Sequence, residues 1–112
     1  MKIYISGSIS GRPLEEARAE FAAAAADVES RGHEAVNPCD IQKILKPETT
    51  SWEQYMEISL ALLHVSDGIL LLRNWRKSKG ACAEFWDAFT GEKQIFYSTE
   101  EIPEPEGDMG TT

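Results

Sequence analysis

The chain has 112 residues and a formal charge of −8. That length suits one domain with a real core, and the acidic balance opposes a polyphosphate backbone, so no nucleic-acid polymer is expected as a partner. No apolar run approaches membrane-spanning length and no basic-then-apolar leader opens the sequence, so no membrane contact and a cytoplasmic location are expected.

The first predicted strand is Lys2–Ile5, ended by Ser6-Gly7. Residues 6–13, SGSISGRP, form a loop, and Pro13 suits the first turn of a helix. Leu14, Ala17, Phe21, Ala24, Ala25 and Val28 recur at helical spacing, and Gly32 ends that helix. Residues 34–36 form a second strand, stopped by Asn37-Pro38. Residues 37–50 are a long connection with a helical turn at Ile41–Leu45.

Ser51 caps a second helix, with Gln54 completing a capping box. Trp52, Tyr55, Met56, Leu62 and Leu63 share its apolar face, with Ser59 in the middle. Asp67-Gly68 precedes the strand Ile69–Leu72, whose unbroken apolar run predicts burial on both faces. After the loop RNWRKSKG (73–80), Ser78 caps a third helix to about Thr90, with Ala81, Cys82, Phe85, Trp86 and Phe89 as its apolar stripe and Gly91 at its end. Gln94–Tyr97 is a fourth strand. Residues 1–98 are read as one domain and 99–112 as an acidic, flexible tail.

This β-α-β-(loop)-α-β-α-β order predicts an α/β fold, a Rossmann-like (flavodoxin-like) three-layer sandwich with a small parallel sheet in order 2-1-3-4. Ligands of such sheets bind beyond the carboxyl ends of the strands, where the strand order reverses. The two loops meeting there are residues 6–13 and 73–80. The first, Ser6 to Arg12, has the composition of a phosphate cradle or of an ordinary strand-to-helix turn. It matches neither a Walker loop nor a GxGxxG fingerprint.

Glu84 lies one turn beyond Gly80, on the shoulder of the apolar stripe. A partly desolvated carboxylate there can serve as nucleophile or base, and a solvated helix glutamate is the other reading. Trp52, Trp75 and Trp86 are candidate stacking partners for a base; Trp75, in the site loop, is favoured, and Trp86 is assigned to the core. Arg73, Arg76, Lys77 and Lys79 give the second loop local positive charge suited to an anion. Cys39 and Cys82 form no CxxC pair, and His33 and His64 complete no metal spacing, so no metal is expected.

These segments resemble a known family. KIYISGSISG is similar to the first strand and loop of 2'-deoxynucleoside 5'-phosphate N-hydrolases, within the nucleoside 2-deoxyribosyltransferase superfamily. SDGILLL followed by SKGACAE is similar to that family's third strand and catalytic helix, and Ser78-x-Gly80-x-x-x-Glu84 to the pattern ending in its nucleophilic glutamate. With RGHEAVNP and GEKQIFY, the likeness covers most of residues 1–98, and is greatest to small, mostly uncharacterised members.

The resemblance implies a nucleotide N-glycosidase or nucleoside deoxyribosyltransferase. Glu84 would attack the anomeric carbon and Tyr4 would orient it. Gly7, Ser8, Ile9, Ser10, Gly11 and Arg12 would meet the 5'-phosphate and sugar. Ser78 stands where nucleotide hydrolases carry serine, which favours a nucleoside monophosphate over a free nucleoside. A homodimer is implied, and the chemistry needs no cofactor. One position departs: Ser59 stands where the family has an aspartate that assists the leaving base or holds the sugar. Asp40 and Glu57 are candidate replacements, and a non-catalytic nucleotide-binding or sensing module is the alternative function.

Overall fold

The computed structural model describes residues 1–105. Four strands, β1 (Lys2–Ser6), β2 (Glu34–Val36), β3 (Gly68–Leu71) and β4 (Gln94–Phe96), alternate with three helices, α1 (Leu14–Ser30), α2 (Trp52–His64) and α3 (Lys79–Thr90). The sheet is entirely parallel with order β2-β1-β3-β4, as expected. The fold is α/β and flavodoxin-like. β1 and β3 are adjacent, with Tyr4 opposite Ile69 and Ser6 opposite Leu71.

Strand alternation divides the core into layers. Ile3 and Leu70 face α1 and pack with Val28, Phe96 and Ile102. Ile5 packs with Phe21 of α1 and with Cys39. Tyr4, Ile69 and Leu71 face the other way, onto Leu63 of α2 and Ala88 of α3. Tyr4 and Ser6, two residues apart on β1, therefore share the α2–α3 side of the sheet. All four residues of β3 are buried, as its unbroken apolar run predicts.

The predicted caps form. Ser51 Oγ accepts from Gln54 N at 3.1 Å while Gln54 Oε1 accepts from Ser51 N at 2.9 Å, the reciprocal pair of a capping box. Ser78 Oγ accepts from Ala81 N at 3.1 Å at the start of α3. The turn expected at Ile41–Leu45 forms, with Leu45 N bonding the Ile41 carbonyl at 2.9 Å, and it is preceded by a 3-10 helix, Pro38–Lys43, that Asn37 caps by accepting from Cys39 N.

Two expectations are corrected. The inner face of α3 is Ala81, Glu84 and Ala88, all buried, whereas Trp86 is 62% exposed and Phe89 is exposed too. Small residues let α3 lie close to the sheet; Phe85 stays half-buried against the core, and the exposed rings of Trp86 and Phe89 stack outward from it. Second, the packed body runs past residue 98: Thr99–Glu101 form a 3-10 turn, Ile102 is 3% exposed, and His33 Nε2 bonds the Pro103 carbonyl. The part of the expected tail from 106 onward lies outside the described residues. Gly91 closes α3 as its C-cap, as expected, and the left-handed turn follows it at Glu92, with φ 59°.

Candidate active site

The carboxyl ends of β1 and β3 open into a cleft of about 210 Å³. Its walls come from the loop after β1 (Gly7 to Ser10), the start of α3 (Lys77 to Ala81) and α2 (Trp52, Tyr55, Met56). The two loops expected to meet at the strand-order reversal therefore do meet. Close approach depends on two glycines. A Cβ on Gly7 would lie 3.0 Å from Leu72 Cβ, and one on Gly80 would lie 3.2 Å from Met56 Sδ. A side chain at either position would push the walls apart.

Glu84 lines the floor of this cleft and is 5% exposed. Tyr4 Oη donates to Glu84 Oε2 at 2.7 Å, and Ser6 Oγ donates to Glu84 Oε1 at 2.6 Å. Both oxygens are thus held, and each retains a lone pair for a further partner. Burial pushes the carboxyl up to about 7, opposed by the hydrogen bonds from Ser6 and then Tyr4. Burial, and then the charge of Glu84, push the Tyr4 phenol well above its ordinary range, so it stays a donor.

Ser59 is fully buried beside the tyrosines and does not line the cleft. Its hydroxyl lies close to those of Tyr4 and Tyr55, yet makes no hydrogen bond of good geometry. Asp40 and Glu57 do not replace a carboxylic acid there. Asp40 pairs with Lys43 at 3.1 Å beside other grooves, and Glu57 is exposed on α2 away from the cleft.

The structure brings Gly7, Ser8, Ile9, Ser10, Ser78 and Gly80 together with Tyr4 and Glu84 around one cleft. It does not bring Gly11, Arg12 or Trp75 there. Gly11 takes φ +78° in the turn and has no neighbour within 4 Å of a Cβ position. Arg12 is drawn to the carboxylates that follow it on α1, at 3.2 Å from both Glu16 and Glu20, and braces the loop through the Ser8 carbonyl. Trp75 packs on Phe85 with ring centroids 4.8 Å apart. The indole of the cleft is Trp52, 40% exposed, with Lys79 Nζ 4.3 Å over its ring.

Residues 1–97 match the family described as a domain of unknown function (DUF4406). The chain belongs to that family. No curated protein matches it. Solved structures with the same fold as this DUF4406 chain include a 2-deoxyribosyltransferase from the psychrotolerant bacterium Bacillus psychrosaccharolyticus, with a TM-score of 0.66 and 18% identity over 85% of this chain and 69% of the other. A 2-desoxiribosyltransferase from Leishmania mexicana has a TM-score of 0.62 and 17% identity over 84% of this chain and 61% of the other.

Two roles at the DUF4406 site differ from those the sequence suggests. Ser6, read as the first residue of a phosphate cradle or turn, is fully buried and holds Glu84 instead; the signal for this is the period of two from Tyr4, which aims both side chains at one helix. Tyr55 was assigned to the buried face of α2, but it lines the cleft and donates to the Pro38 carbonyl at 3.2 Å. His33 is structural, bonding the N-terminal amine at 2.9 Å and the Pro103 carbonyl.

Proposed function

We propose that this chain is an N-glycosidase or deoxyribosyltransferase that cleaves the base–sugar bond of a nucleoside 5'-monophosphate, with Glu84 as nucleophile. The observation that carries the reading is the buried Glu84 carboxyl, held at both oxygens by Tyr4 and Ser6 on the floor of the strand-end cleft. The fold shared with 2-deoxyribosyltransferases supports it, as does the likeness of SKGACAE to the catalytic helix of the small N-hydrolase branch.

Cleavage of an N-glycosidic bond develops positive charge on the sugar ring. The Glu84 carboxylate stabilises that charge and bonds C1' as in retaining glycosidases. Water then completes hydrolysis, or a second base completes transfer. The Ser8 and Ser10 hydroxyls and the start of α3 would receive the 5'-phosphate. Ser78 Oγ, while accepting from Ala81 N, keeps its own proton to donate. The working unit would be the packed body, residues 1–98 with the segment through Pro103 that packs on it, in the cytoplasm and as a homodimer, which sedimentation checks: a monomer at micromolar concentration ends that part of the proposal.

The test is base release from a panel of nucleoside monophosphates. Wild type is expected to release base, and Glu84→Gln to lose at least about a hundredfold in kcat/KM. Full activity in the Gln variant ends the proposal. A non-catalytic nucleotide-binding or sensing module is the second reading, favoured by Ser59, which supplies no carboxylic acid. Nucleotide-dependent thermal stabilisation without turnover decides for it.

A further inference from the structure

The cleft contains a feature the reading above leaves unused: a cation seated on an aromatic face beside the buried carboxyl. Lys79 Nζ lies 4.3 Å from the Trp52 ring centroid, and both side chains line the cleft with Glu84. The Trp52 ring is held near α3, since a Cβ on Gly80 would lie 3.9 Å from Trp52 Nε1, and Glu84 follows Gly80 by one helical turn. A positive group over an indole face is attracted by the ring quadrupole, more strongly where water is excluded. The cleft therefore offers a cation two kinds of stabilisation, an aromatic face and a carboxylate, both on its lining.

Besides the ammonium groups of Lys77 and Lys79, which suit the 5'-phosphate, acid groups in the cleft are few. Among the described residues that line it, Glu84 is the one carboxyl group. The phenols of Tyr4 and Tyr55 are pushed up by burial and keep their protons, and Ser59 is sealed beneath the wall. A nucleobase attached through an ordinary ring nitrogen departs as an anion unless an acid protonates it. A base attached through a quaternised ring nitrogen departs as a neutral molecule and needs no acid.

Resting on the reading of Glu84 as nucleophile, we propose that this site takes cationic N-glycosides, of the N-ribosylpyridinium or N7-alkylpurinium class, with the charged ring stacked on Trp52. Lys79 leaves the indole face and turns to the 5'-phosphate. A Glu84 carboxylate oxygen bonds C1' as the C1'–N bond breaks, and the electron pair passes to the ring nitrogen and cancels its charge. Water then bonds C1', the ester electrons return to Glu84, and the surplus proton goes to solvent. A cationic glycoside and water become a sugar phosphate, a neutral base and one proton.

The experiment measures base release by chromatography at a pH above the Glu84 pKa, using the full chain. The cationic probes are nicotinamide mononucleotide and 7-methylguanosine 5'-monophosphate. The neutral probes are GMP, AMP, CMP and UMP with their 2'-deoxy forms. The cationic probes are expected to be cleaved, with GMP about a hundredfold or more slower than its N7-methylated counterpart, the scale of missing general-acid help. Trp52→Leu is expected to raise KM for the cationic probes about 2- to 30-fold, and Trp52→Phe to recover part of that loss. Glu84-dependent cleavage of neutral nucleotides at rates matching the cationic probes leaves the N-glycosidase reading standing and overturns this one. An unchanged KM in Trp52→Leu also overturns it. Release of base from none of the probes overturns both.

Discussion

Glu84 shows what a buried carboxyl costs the fold. Its ordinary pKa is 4.5, and in the folded chain burial lifts it to about 7. The folded state thus holds this proton more tightly than the unfolded state. Stability from this group is greatest below about 4.5, falls as pH rises toward about 7 and is level above. The loss amounts to roughly 3 kcal/mol. Glu84→Gln is therefore expected to be more stable than wild type well above pH 7 and no more stable at low pH. Urea melts at the two extremes check this; a Gln variant destabilised equally at both contradicts the burial argument. The hydroxyl of Ser6 works in the opposite direction, because its hydrogen bond favours the ionised form. Ser6→Ala removes it and should move the acid limb of kcat/KM upward by about one pH unit, the worth of one charge-assisted hydrogen bond. A limb that stays in place means that Glu84 ionisation does not govern the rate.

The ends of α1 and α3 solve one geometric problem with different residues. In α1, Gly32 N bonds the Glu29 carbonyl and His33 N the Val28 carbonyl, with Gly32 at φ +88°. In α3, Glu92 N bonds the Phe89 carbonyl and Lys93 N the Ala88 carbonyl, with Glu92 at φ +59°. Both are Schellman ends, but only the first places glycine where the chain turns left-handed. Glu92→Gly is expected to stabilise the protein by about 0.5–1 kcal/mol, because a Cβ is disfavoured there. A lower thermal midpoint for this variant would refute the assignment. The sequence carried the end of α3 at Thr90 and Gly91 but not the left-handed turn at Glu92, since a glutamate gives no local signal for that conformation.

Across the whole molecule, the body extends beyond the four strands. Ile102 returns to the α1 side of the sheet and packs with Ile3, Val28, Leu70 and Phe96. Ile102→Ala is expected to cost about 2–4 kcal/mol in urea unfolding, as a large-to-small change in a core. A cost near zero would show that residues 99–105 are not part of the cooperative unit. Composition concealed this segment: five acidic residues and two prolines between 99 and 108 outweigh one isoleucine in any local reading. The aromatic stripe of α3 misled for a related reason. Ring size suggested a core face, but a helix lying over a sheet needs small residues where it approaches closely, and Ala81 and Ala88 fill that role.

The order of the elements, their caps and the place of the cleft followed from the sequence alone. They depend on local periods, on capping side chains and on the parallel crossover rule, each readable within one segment or from segment order. Tertiary structure alone decided which side chains enter the cleft. Ser6 joins the expected Tyr4 on Glu84 across about 80 residues of chain, Trp52 takes the place expected of Trp75, and Arg12 turns away to its own helix. Such choices depend on how far apart two packed layers stand and on which partner wins a side chain. Both are set when α2 and α3 close on the sheet, and no single segment encodes them.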